Sequence, residues 1–134
     1  MKRILWAVLG AALVAVGCAD PVAPATPTPA VPTIRETFSD TLLVLGSNTH
    51  QFSVDAIGGL KVMLTAVEPG AAVGLGVGTP SLGSCSVLDH VDAVAGQAVL
   101  LSGTATVPGT YCVVIQDIGN LVEPVAYTIN VLHS

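Results

Sequence analysis

A chain of 134 residues, 51% hydrophobic, 10% charged and 4% aromatic, has length for one domain and little aromatic surface for stacking on ligands. Its formal charge is −5 at pH 7, but Lys2 and Arg3 sit ahead of an apolar N-terminal run. Beyond that run Arg35 and Lys61 face nine acids, a side-chain charge of −7, which excludes phosphate-backbone binding to nucleic acid and charge-driven attachment to anionic lipid.

Met1-Lys2-Arg3 followed by the uncharged stretch 4–16 has the order of a secretory leader, a basic region and then an apolar one. The stretch is too short for a membrane span, which needs about 20 apolar residues, and it ends at Cys18, Asp20 and Pro21. Ala15-Val16-Gly17-Cys18 resembles the lipobox of bacterial lipoproteins, small residues leading into a cysteine. That resemblance implies cleavage between Gly17 and Cys18, diacylation of the Cys18 sulfur and a palmitate-type acyl group on the new amine. Ala19 in place of an aspartate implies, by the same resemblance, the outer membrane of a two-membrane envelope. Two or more chains make a stable anchor at about 0.8 kcal/mol per buried methylene.

Residues 21–32 read PVAPATPTPAVP, five prolines in twelve positions. Each proline removes a backbone donor and fixes φ, so neither helix nor sheet forms. The expected state is polyproline II, spanning roughly 37 Å at about 3.1 Å per residue, a spacer between bilayer and domain. The organisation expected is signal peptide 1–17, lipid-anchored tether 18–33 and folded domain 34–134.

From residue 34 the chain breaks into short β-branched runs: 37–45, 49–57, 60–67, 72–78, 85–89, 98–106, 110–117 and 125–132. Turn residues divide them, among them Gly46-Ser47-Asn48, Gly58-Gly59, Thr79-Pro80-Ser81, Pro108-Gly109 and Gly119-Asn120. Within the runs polarity alternates: Phe52, Val54 and Ala56 against Gln51, Ser53 and Asp55, and Tyr127, Ile129 and Val131 against Thr128 and Asn130. Gly58-Gly59 reads as a two-residue hairpin turn. The prediction is an all-β domain, a single antiparallel β-sandwich of about eight strands.

With Cys18 assigned to lipid, Cys85 and Cys112 remain, and an even pair in an exported domain implies a disulfide rather than two buried thiols. A loop of this length is worth about 3–4 kcal/mol in the chain-entropy account.

Five segments carry a further likeness: Glu36-Thr37-Phe38-Ser39, Ser47 through Val54 (SNTHQFSV), Gly74-Leu75-Gly76-Val77-Gly78-Thr79-Pro80, Gly109-Thr110-Tyr111-Cys112-Val113-Val114 and Asp117-Ile118-Gly119-Asn120. Together they resemble bacterial pre-peptidase C-terminal-type domains. The resemblance implies a jelly-roll-like sandwich without catalysis of its own, in some members binding calcium through acidic loops or contacting protein or polysaccharide. This chain departs from the usual setting in carrying no protease domain.

Chemical motifs are sparse. His50, His90 and His133 have no metal-ligand spacing and read as surface histidines. Ser84 and Ser86 lack the GxSxG elbow of a nucleophile. Gly74-Leu75-Gly76-Val77-Gly78 lacks the helix and Lys-Ser/Thr of a phosphate loop and reads as a strand made small for close packing. Asp89 and Asp92 in one expected loop, with Asp117, Asn120 and Glu123 in another, are the candidate calcium ligands, since calcium takes six to eight oxygens. The function expected is a non-catalytic, lipid-anchored envelope module binding an extracytoplasmic protein or polysaccharide. The alternatives are a purely structural envelope lipoprotein and a calcium-binding accessory domain, with a small hydrolase further off because nucleophile, base and oxyanion donors are all unassigned.

Overall fold

The alternating runs become eight strands in a computed structural model, which describes residues 17, 21–26, 28, 31–97 and 100–134. In chain order they are β1 Ile34–Leu42, β2 Ser47–Val54, β3 Gly58–Glu68, β4 Val73–Ser81, β5 Ser84–Ala93, β6 Leu101–Ala105, β7 Gly109–Gln116 and β8 Val125–His133. No helix occurs among the described residues. Cys18, with its lipidation and the cleavage after Gly17, lies outside the described residues, as do positions 98 and 99 of the sixth predicted run. Residues 21–26 and Thr28 are exposed and carry no regular structure.

The strands pair antiparallel as β4 with β5, β3 with β6, β2 with β7 and β1 with β8. These nested pairs describe one long ribbon folded at residues 82–83. Rolling that ribbon adds the pairings β3–β8 and β4–β7 and closes two four-stranded sheets, β1-β8-β3-β6 and β2-β7-β4-β5. This is a jelly-roll β-sandwich. The β1/β2 edges lie along one side and the β5/β6 edges along the other.

Register decides which side chains enter the core. Leu42, Phe52, Val54, Leu60, Val62, Leu64, Leu75, Val113, Ile115, Tyr127, Ile129 and Val131 are all buried between the sheets. Each fully buried Val, Leu or Ile contributes roughly 1.5–3 kcal/mol. The outer face of the first sheet is polar instead, with the Thr37 hydroxyl donating to Asn130 Oδ1 at 2.7 Å and Ser39 and Thr128 hydroxyls 3.0 Å apart. Arg35 and Lys61 flank Leu132 on that same outer face.

Three local expectations are corrected. Gly58-Gly59 is not a hairpin turn: both residues open β3 and pair with Ala105 and Thr104 of β6, because the chain crosses between sheets there. Thr79-Pro80-Ser81 is not a turn but the end of β4; the hairpin turn is Leu82-Gly83, both at positive φ as a two-residue turn demands. The first run stops at Leu42 instead of residue 45, which leaves Leu43, Val44 and Leu45 in a loop.

The small-residue reading of β4 holds. Gly74, Gly76 and Gly78 lie on the outer face of their sheet, where a Cβ on Gly76 would stand 2.9 Å from Val87 Cγ1 and 3.0 Å from Val114 Cγ1. A Cβ on Gly78 would run into the Ser86 carbonyl, so β5 curls directly over β4 at that point. That curl carries Cys85 across Gly78 to Cys112 on β7, and the two form a disulfide with Cα atoms 5.9 Å apart. The bond pins the folded end of the ribbon to the strand beyond its neighbour.

Candidate functional site

The proline-rich segment leads into the start of β1, where Thr33 N–H donates to the His133 carbonyl at 3.0 Å and Pro32 lies against Gly59. The opposite end of the sandwich is built from residues 43–46, 69–72, 94–97 and 117–124, with Leu100. Asp117 organises that end. Its Oδ1 accepts the backbone N–H groups of Gly119, Asn120 and Leu121 at 2.8, 3.1 and 3.2 Å, while Oδ2 accepts that of Leu45 at 2.8 Å. Its own N–H donates to the Gly46 carbonyl at 3.0 Å. Asn120 Nδ2 then reaches the Ala72 carbonyl at 3.1 Å, so three loops are joined.

These hydrogen bonds, the one from Leu45 foremost and those from Leu121, Gly119 and Asn120 after it, outweigh partial desolvation and hold the Asp117 carboxyl below its ordinary range. Leu45 sits at φ 58, a left-handed conformation that glycine or asparagine adopts with less strain. Yet its side chain is 84% exposed, beside Leu43 at 61%, and Val122 on the facing loop is 93% exposed. Val44 and Ile118 are exposed as well. Exposed aliphatic side chains thus gather in the loops at the end remote from the proline-rich segment, and neither Arg35 nor Lys61 lies in those loops. The Asp117-Ile118-Gly119-Asn120 segment carried the legible signal, since Asp two residues before Gly is an Asx-turn pattern.

Two histidines expected at the surface are internal. His50 projects from β2 between the sheets, stacked on Phe38 with ring centroids 4.8 Å apart, and its Nε2 lies 2.7 Å from the Tyr127 hydroxyl. Asn48 Nδ2 donates to that hydroxyl at 3.0 Å and to the Thr41 carbonyl at 2.9 Å. The phenol therefore receives from Asn48 and gives its own proton to neutral His50. Burial lowers the His50 pKa, with Asp40 acting in the opposite sense, and burial likewise raises that of Tyr127. His133 is 1% exposed and its Nε2 lies 2.8 Å from Glu36 Oε1. Both acids belong to edge strand β1, where inward-pointing charges oppose pairing with another chain. His90 is exposed on β5.

The candidate calcium ligands do not converge. Asp89 and Asp92 belong to β5, not to a loop, because β5 runs on to Ala93. Asp92 pairs with Gly74 on the outer face, whereas Asp89 pairs with Val77 on the inner one. Asp117 is occupied by four backbone N–H groups, and Glu123, six positions on, is exposed. Among the described residues no group of three or more His, Cys, Asp or Glu is placed to hold a metal ion. Ser84 donates to the Ser81 carbonyl at 2.9 Å across the hairpin turn.

A cleft of about 160 Å3 opens between the sheets on the β5/β6 side. Its floor is Leu60, Val62, Val77, Leu101 and Tyr111, with Leu88 and Asp89 on one lip and residues 102–104 on the other.

No protein-family model and no curated protein matches this chain.

Proposed function

We propose that this chain is a lipid-anchored envelope module that binds an extracytoplasmic protein through the apolar tip formed by Leu43, Leu45, Ile118 and Val122. The observation that carries this reading is the bracing of exposed aliphatic side chains by Asp117. A loop that only connects strands gains nothing from an exposed leucine in a strained conformation, whereas a binding surface gains from ordering before contact. A protein partner fits better than a polysaccharide, because Phe38 and Tyr127 are engaged with His50, and Phe52 and Tyr111 stack on each other at 6.1 Å. No aromatic residue occurs in loops 43–46 or 117–124. Anchoring at Cys18 is supported by the Ala15-Val16-Gly17-Cys18 sequence and by a proline tether entering at the end opposite the tip.

The test is photocrosslinking in native envelopes from a reactive residue at Leu45, at Val122 and, as control, at Thr37 on the outer sheet face. A discrete adduct from both tip positions, lost in Leu43→Asp, is the expected result. Identical adduct patterns from the tip and from Thr37 would leave a purely structural lipoprotein as the better reading. Cys18→Ala tests the anchor separately, through loss of the protein from the detergent phase.

A further inference from the structure

We infer that the cleft between β5 and β6 is a binding site for a small alkylammonium ion, an aliphatic body of about six carbons with a cationic head. This goes beyond the tip and does not depend on it. The cleft is formed by a specific irregularity. Gly78 pairs with Val87 and Val77 with Asp89, so Leu88 is an extra residue, a bulge in β5. A regular strand would turn residue 88 toward one face and residue 89 toward the other. The bulge instead brings Leu88 and Asp89 together on the same lip, the kind of re-aiming for which bulges occur beside binding sites.

The chemistry of the lining selects the ligand. Buried Leu60, Val62 and Leu101, with half-buried Val77 and Tyr111, give an apolar floor. The Tyr111 hydroxyl is committed, donating to the Val107 carbonyl at 2.8 Å. Asp89 is then the one charged group on the lining, and it has no ion pair among the described residues. Its Oδ1 accepts the His90 N–H at 2.9 Å, which leaves Oδ2 for a ligand. Leu88, 73% exposed, stands beside it as an apolar wall in need of cover. A cavity near 150 Å3 accommodates a benzene-sized body, so the volume fits about six carbons, and charge complementarity makes the head cationic. The strongly acidic domain adds to that preference over an anion.

The fold also supplies a clean blocking variant. Gly103 faces the cleft opposite Leu60, and a Cβ there would meet nothing within 4 Å, so Gly103→Leu fills the site without a clash at its root.

The test is an amide chemical-shift titration of the disulfide-bonded domain with hexylammonium, hexanoate and hexanol at neutral pH. The expected result is saturable shifts at Val77, Leu88, Asp89 and Leu101 with millimolar affinity, hexylammonium binding roughly tenfold tighter than hexanoate. Asp89→Asn removes most of that preference, and Gly103→Leu abolishes the shifts. Should Gly103→Leu fail to fold, the Asp89→Asn ratio decides alone. Linear, unsaturable shifts, equal binding of hexanoate and hexylammonium to the native chain, or binding indifferent to Gly103→Leu would each overturn the assignment and leave Asp89 as an edge-protecting charge.

Discussion

Asp117 Oδ2 accepts the backbone N–H of Leu45 at 2.8 Å, joining loops that are 72 positions apart in sequence. The same carboxylate accepts three further N–H groups within its own loop, so one side chain orders two segments. Asp117→Asn keeps the shape but replaces one acceptor oxygen by a donor and removes the charge. Amide hydrogen exchange at Leu45, Gly119, Asn120 and Leu121 is expected to accelerate severalfold, while exchange in the β3 and β8 core stays unchanged. The folded-state pKa is depressed, so the stabilisation is complete above the ordinary carboxylate range and is lost as pH falls through the folded value. Asp117→Asn should lack that acid-dependent part.

How much of this was legible depends on whether the signal is local. The alternation of Tyr111, Val113 and Ile115, or of Tyr127, Ile129 and Val131, is complete within a few residues, and those strands stand where the pattern puts them. Gly58-Gly59 fits a tight turn and the first residues of a strand equally well; only the Ala105 and Thr104 partners separate the two. Leu42-Leu43-Val44-Leu45 reads as one continuous strand by propensity, but its last three residues form a loop closed by the Gly46 N–H to Leu43 carbonyl bond and held at Leu45 by an aspartate 72 positions away. His133 continues the inward phase of Tyr127, Ile129 and Val131, so its burial is legible locally, but its partner Glu36, 97 positions away, is not.

The His50–Tyr127 pair predicts loss of stability on mild acidification. The unfolded histidine protonates near its ordinary value of 6.5, whereas burial lowers the folded value. The unfolded chain therefore binds more protons in that window. Stability is constant above about pH 7 and falls as pH drops through 6.5 toward the folded pKa. Protonated His50 must also donate to Tyr127, which already accepts from Asn48, and the phenol proton loses its acceptor. Urea unfolding between pH 8 and pH 5 should show this decline in the native chain and a smaller one in His50→Gln.

Tyr127→Phe keeps the ring and removes the hydroxyl that His50 and Asn48 share. Asn48 retains the Thr41 carbonyl, but His50 Nε2 is left without its partner. The expected cost is about 1–3 kcal/mol in urea unfolding, the penalty of a part-buried polar group left unsatisfied. A smaller loss would mean that water replaces the phenol at the β1/β2 edge.

Gly78 and Gly76 lie on one strand face but should answer differently to alanine. At Gly76 the obstacles are side-chain methyls, Val87 Cγ1 and Val114 Cγ1, which can give way by a small shift of each valine. At Gly78 the obstacle is the Ser86 backbone carbonyl, held in place because Cys85 is bonded to Cys112 beyond it. Gly78→Ala must displace β5 outward and strain the disulfide with it. We expect about 1–3 kcal/mol of destabilisation for Gly78→Ala, with the disulfide opening at a lower concentration of added thiol reductant, and less for Gly76→Ala. Reduction separates the two contributions. In the native chain it should cost about 3–4 kcal/mol, from freeing the loop in the unfolded state. In Gly78→Ala it should cost less, since β5 is then released from a position it can no longer occupy without strain. Equal losses on reduction in both proteins would show that the curl of β5 over Gly78 does not depend on the cross-link.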